Sequence, residues 1–158
     1  MGKITYQFED FLRDVRPEYQ AFAAGIHENF LQDSCKVKIE SKANGFFVSY
    51  AHPKTKRSLL NFIFRKKGLI VRLYPSDISK CADLLDRLPE SMEKEIAKAP
   101  NCKRMLDPAD CNSRCPMGYD ISVRGTRYQK CRYNCFMFAV TEESIPFILD
   151  FIKLERED

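Results

Sequence analysis

Four cysteines fall in two C-x3-C pairs, Cys111/Cys115 and Cys131/Cys135, within the stretch CNSRCPMGYDISVRGTRYQKCRYNC. A pair of cysteines two to four residues apart lets one short turn present two thiolates, and two such pairs complete a tetrahedral zinc site. The fifteen residues between the pairs are enough for a hairpin, and Cys102, nine positions before Cys111, is an alternative ligand. The sequence therefore predicts a structural zinc ion on Cys111, Cys115, Cys131 and Cys135. Two other readings stay open. Free cysteine packs as a small hydrophobe, and the even spacing of Cys131 and Cys135 lets both face a core from one strand. A thiol-based redox or metal-handling role would use the same cysteines, with Arg114, Lys130 and Arg132 favouring a neighbouring thiolate. The thioredoxin-type C-x-x-C and the C-x2-C runs of iron–sulfur proteins are absent. Cys35 and Cys81 lie on apolar stripes and belong to a core.

Compartment bears on the same choice. MGKITYQFED has no basic region followed by an apolar stretch, which predicts no secretory export and a reducing cytoplasm. Disulfides are rare there, and seven cysteines cannot all pair within one chain. The longest apolar runs, LLNFIF and GLIV, are far too short to span a bilayer.

No other motif carries chemistry. There is no phosphate-binding glycine loop, no G-x-S-x-G and no H-E-x-x-H. The two histidines, His27 and His52, have the setting of surface or satisfied residues, so the expectation is a binding module rather than an enzyme.

Charge points to a partner class. The net charge is +4, yet residues 41–76 hold eight Lys/Arg and no acid, including Lys54, Lys56 and Arg57 in one loop. The cysteine-rich stretch adds Arg124, Arg127, Lys130 and Arg132, interleaved with Tyr119, Tyr128 and Tyr133. Cations beside aromatic platforms suit nucleic acid or another anionic partner. The competing arrangement is a hairpin with aromatic residues packed inward and basic ones facing water.

The elements that would position these residues follow from periodicity. Phe8, Phe11, Leu12 and Val15 recur at helical spacing, Pro17 restarts the pattern, and a second helix runs from about Pro17 to Leu31. CKVKIE, FFVSYA, SLLNFIF and LIVRLY then read as four antiparallel strands, with Asn44-Gly45 as a hairpin turn. Helical spacing returns in SDISKCADLLDRL and ESMEKEIAKA, YDISV and YQKC form a further hairpin, CFMFAV is a strand, and Thr141 caps a final helix. The expected fold is α+β: an antiparallel meander packed by N- and C-terminal helices, in one domain of residues 1–158 with a cysteine-rich hairpin extension at about 102–135.

The segment VSYAHPKTKRSLLNFIFRKKGLIVRLYP, which follows two helices and ends in Tyr74-Pro75, resembles the small bacterial YdhG-type domains. The resemblance covers the first half of the chain. It implies a frataxin-like or uncharacterised domain with a metal-handling or binding role, and it transfers no iron-binding residue. The PKTKR insertion and the cysteine-rich extension depart from that pattern.

Overall fold

The computed structural model describes residues 4–107, 109, 111 and 115–156. The chain divides into two compact units, Met1–Val71 and Arg72–Asp158.

The first unit opens with helix α1 (Phe8–Asp14), whose Asp10 carboxylate accepts the Gln7 amide at 2.8 Å. Arg16 is extended, as a residue before proline must be, and Pro17 starts α2 (Pro17–Gln32) where its missing N–H costs nothing. The helices cover a meander of β1 (Lys36–Lys42), β2 (Gly45–Ala51), β3 (Ser58–Arg65) and β4 (Gly68–Leu73). Phe11 and Phe30 reach the sheet, stacking against Phe62 and Tyr50 respectively. All four of these rings are buried, so one aromatic layer joins helices to strands.

The first hairpin turn falls one residue earlier than the Asn44-Gly45 signal predicts. Ala43 and Asn44 make the turn, and Gly45 is already paired with Lys42. Glycine is needed at 45 for two reasons: its φ is +133°, and a Cβ there would lie 2.7 Å from the Phe64 ring. The basic loop after β2 is built around His52, whose Nδ1 accepts the Lys54 and Thr55 amides at 3.1 and 3.2 Å. His52 is thus a loop organiser.

The second unit begins at the end of β4, where the Leu73 amide donates to the Phe136 carbonyl at 2.9 Å and sets β7 (Met137–Ala139) beside it. Within the first unit the strands lie in the order β1-β2-β3-β4. A separate hairpin pairs β5 (Tyr119–Val123) with β6 (Thr126–Lys130). Its turn residues Arg124 and Gly125 have φ of +46° and +86°, the hand that matches strand twist. Helix α3 (Ala82–Asp86) packs on β5, and α4 (Glu90–Lys98) packs on β6 and β7. A one-turn helix, α5 (Lys103–Leu106), was not foreseen from the sequence.

The last helix, α6 (Ile145–Arg156), starts later than Thr141 suggests. Thr141 and Ser144 exchange side-chain-to-amide bonds at 3.0 and 2.9 Å, which closes a turn before the helix begins. Pro146 then sits in the first helical turn, where no N–H is required of it. Tyr119, Phe136, Phe138 and Phe151 form the aromatic core of this unit. The α+β architecture with an antiparallel meander and helices at both ends of the chain is as the sequence indicates. Among the described residues no helix is long and apolar enough to cross a membrane.

His27 gives the first unit a measurable pH dependence. Its ring stacks on Phe8 at 3.8 Å, and Nδ1 lies 2.7 Å from the Tyr50 hydroxyl. Burial holds it below its ordinary value of 6.5, against the opposing pull of Glu9 and Glu28. As pH falls through that value the unfolded chain takes the proton first, so the stability is full above 6.5 and declines below it. Between about pH 7.5 and about pH 5.5 the urea midpoint of the wild type should fall further than that of His27→Gln. Glu95, raised by burial, acts with the opposite sign, so the difference between the two proteins is the readout. Parallel curves would remove His27 as the cause.

Candidate thiol cavity

The cavity is built on the outer edge of the β5–β6 hairpin. Residues 100–102 run antiparallel beside β6, with Asn101 bridged to Lys130. The Cys102 amide donates to Gln129 at 2.9 Å, and the Cys131 amide donates to Pro100 at 2.8 Å. Because side chains alternate along extended chains, this register puts Cys102 and Cys131 on one face and Lys130 on the other.

Lys130 turns inward. It is 7% exposed, and its Nζ donates to the carbonyls of Ala97 and Ala99 at 3.0 and 2.9 Å. Those are orphan acceptors at the C-terminus of α4, where a cation also complements the helix dipole. The chain then leaves the hairpin edge at Cys102, makes α5, and returns through Met117 and Gly118.

Four of the seven cysteines, Cys102, Cys111, Cys115 and Cys131, line one cavity of about 350 Å³. They differ in exposure: Cys102 is buried, Cys115 and Cys131 are half-buried, and Cys111 is exposed. Two of the sulfurs accept N–H donors, Cys102 Sγ from the Gly118 amide at 3.2 Å and Cys131 Sγ from Asn134 Nδ2 at 3.4 Å. Arg104 bonds the Cys115 carbonyl through Nη1, while its Nε is buried with no partner among the described residues. Arg132 fastens the returning strand: Nε donates to Met117 at 2.7 Å, Nη1 donates to the Tyr119 hydroxyl at 3.0 Å, and the guanidinium lies over the Tyr119 ring.

Cys135 is placed elsewhere. Its amide closes a turn back to the Cys131 carbonyl at 2.8 Å, and its side chain enters the core with no exposure. Burial pushes that thiol well above its ordinary range. The structure therefore brings together Cys111, Cys115 and Cys131 of the predicted set, adds Cys102, and leaves Cys135 as a core thiol. Cys81 is also a core thiol, pushed up to about 11 by burial. Cys35 is half-buried. None of the seven is in a disulfide. Among the described residues no three His, Cys, Asp or Glu side chains stand closely enough together to hold a metal ion.

The basic residues of the hairpin are engaged within the chain. Arg124 pairs with Glu93 and bonds the Leu88 carbonyl. Arg127 makes a two-pronged bond to Asp120 at 2.9 and 2.6 Å. Lys130 caps α4, and Arg132 holds Met117 and Tyr119. An anionic partner at this hairpin would have to displace these contacts. Of the three tyrosines, Tyr119 is buried and Tyr128 gives its hydroxyl to Glu93 at 2.7 Å, while Tyr133 is exposed. Lys54, Lys56 and Arg57 lie in the His52 loop of the first unit; Lys54 and Lys56 are exposed and Arg57 is half-buried. Arg114 lies outside the described residues.

Gly118 sets how closely the returning chain approaches. A Cβ there would overlap the Lys130 carbonyl oxygen and come within 2.8 Å of Cys102 Cβ. Gly118→Ala should therefore lower unfolding free energy by about 1–3 kcal/mol, the usual range for overpacking. It should also speed alkylation of Cys102, read by mass spectrometry after a short pulse of iodoacetamide. Unchanged stability and unchanged Cys102 labelling would refute this close packing. Comparison of the chain with protein-family models, with curated proteins and with solved structures finds no match.

Proposed function

We propose that the second unit is a non-enzymatic binding module that holds a zinc ion on Cys102, Cys111, Cys115 and Cys131. The observation that carries this reading is that these four thiols line one cavity. Sulfur donors select soft and borderline ions, and four of them suit the tetrahedral preference of zinc.

Three features of the surroundings fit that donor set. N–H donors already rest on two of the sulfurs, which is the kind of outer contact that ligating thiolates keep. Arg104 Nε, with no partner among the described residues, is a donor in need of an acceptor. Lys103, Arg104 and Arg132 offset the charge of four thiolates. Among the described residues the four sulfurs are not gathered into a metal-holding group, so binding would require them to draw together. Bound metal would tie the segment carrying Cys111 and Cys115 to the hairpin edge at Cys102 and Cys131. The reading places the protein in a reducing compartment such as the cytoplasm, where the thiols stay available.

Metal analysis of protein purified without a tag tests this. The wild type should carry about one zinc per chain, and Cys102→Ser and Cys131→Ser should each weaken binding by at least about tenfold. Cys135→Ala should keep its zinc, because that sulfur lies in the core. Wild-type protein that folds with neither zinc nor iron would sink the proposal. So would loss of metal in the Cys135 variant with retention in the Cys102 variant.

A further inference from the structure

We infer that the cavity on the β5–β6 hairpin edge takes a small phosphate with a planar ring, the chemistry of a nucleoside monophosphate, its phosphate on Arg104 and its ring on Tyr133. The site uses the cations and the rim of the cavity and none of its sulfurs, so it is independent of the metal reading above.

Space and charge define the ligand class. At about 350 Å³ the cavity falls in the range of small-molecule sites, about 300–1,000 Å³. Lys103, Arg104 and Arg132 line it, and no carboxylate is among its described lining residues. The hairpin's other arginines differ in this respect, since Arg124 and Arg127 already hold Glu93 and Asp120. Cations gathered with no acid beside them, in a volume partly shielded from water, attract an anion.

Geometry narrows the anion. Arg104 gives Nη1 to the Cys115 carbonyl, while Nε is buried with no partner among the described residues. A buried N–H without an acceptor is costly, so this guanidinium is satisfied only when an oxygen arrives at Nε. The edge that Nε shares with Nη2 has the spacing of two oxygens of one phosphate. Arg132 is anchored through Nε to Met117 and through Nη1 to Tyr119, which fixes a second guanidinium with further N–H groups to offer. Lys103, exposed at the rim, adds a point charge.

The rim supplies the rest of the ligand's shape. Tyr133 lines the same cavity and is 47% exposed. Its ring meets Tyr74 edge to face at 6.0 Å, and its carbonyl accepts Arg72 Nη1 at 3.0 Å, so it is held in place without being buried. A fixed, exposed aromatic ring beside a phosphate-binding guanidinium is an arrangement on which a nucleobase stacks.

Calorimetric titration of the full-length, reduced protein tests this, with adenosine monophosphate as the probe and zinc content measured on the same sample. The monophosphate should bind saturably. Ribose 5-phosphate, which lacks the ring, and adenosine, which lacks the phosphate, should each bind at least about fivefold more weakly. Arg104→Gln should weaken the monophosphate by at least about tenfold. Tyr133→Ala should weaken it by at least about fivefold and leave ribose 5-phosphate unchanged, a split that a general loss of structure would not give. If circular dichroism shows that Arg104→Gln does not fold, Lys103→Gln decides through a loss of about twofold or more. Absence of saturable binding, adenosine held as tightly as the monophosphate, or a Tyr133→Ala affinity equal to that of the wild type overturns the phosphate site. Each of these outcomes is read whether or not the sample carries zinc, and the zinc content alone judges the metal.

Discussion

The second unit depends on one register, the pairing of Asn101 with Lys130 along the edge of β6. Side chains alternate on extended chains, so this register decides which way each neighbour points. Lys130 faces the helices and spends its ammonium on the last carbonyls of α4. Cys102 and Cys131 face the other way and open the cavity. Without the inward Lys130 the Ala97 and Ala99 carbonyls at the end of α4 would lose their ammonium partner. A lost charge-assisted bond and an unsatisfied buried carbonyl each cost about 1–3 kcal/mol, so the register is strongly held. The cavity inherits its geometry from a helix cap.

The same economy governs the basic residues. A count of cations suggested an anionic partner, because residues 41–76 lack any acid. Glu40, just outside that window, accepts both Lys38 and Lys42 at 2.9 and 2.6 Å, and its carboxyl is lowered to about 2 by them. In the hairpin, Arg124 occupies a left-handed turn position unusual for a side-chain-bearing residue. Its guanidinium and amide are held by Glu93, Leu88 and Asp86, which compensates the strained backbone. These cations build the fold locally before any of them can serve a surface.

Much of the fold was legible because its signals are local. The two helices around Pro17, the four-strand meander and the β5–β6 hairpin all follow from periodicity and turn residues. Boundaries shifted at two places: Gly45 answers to the Phe64 ring across the sheet, and the Thr141–Ser144 turn delays the start of α6. The candidate site was half legible. The C-x3-C spacing treats Cys131 and Cys135 as equivalent, but a turn separates them, and the second faces the aromatic core. Cys102 carries no paired spacing at all. Its membership depends on a contact to Gln129 across 27 positions of sequence, which no local pattern encodes. The one available hint was Pro100, which ends a helical run just before Cys102 and lets the chain extend there.

The contrast between Cys131 and Cys135 shows why spacing alone misleads. A strand would have placed both on one face, since their separation is even. The backbone instead bends at Cys131, with the Asn134 and Cys135 amides both donating to its carbonyl at 3.0 and 2.8 Å. That bend is needed because Cys131 must stay beside Pro100 on the hairpin edge, while Phe136 must reach Tyr119 and Phe151 in the core. The turn reconciles the two demands, and Cys135 goes with the phenylalanine that follows it. One thiol therefore remains at a half-exposed surface and the other becomes a small core hydrophobe. Chemistry available to the first is closed to the second by desolvation, although they are only four residues apart.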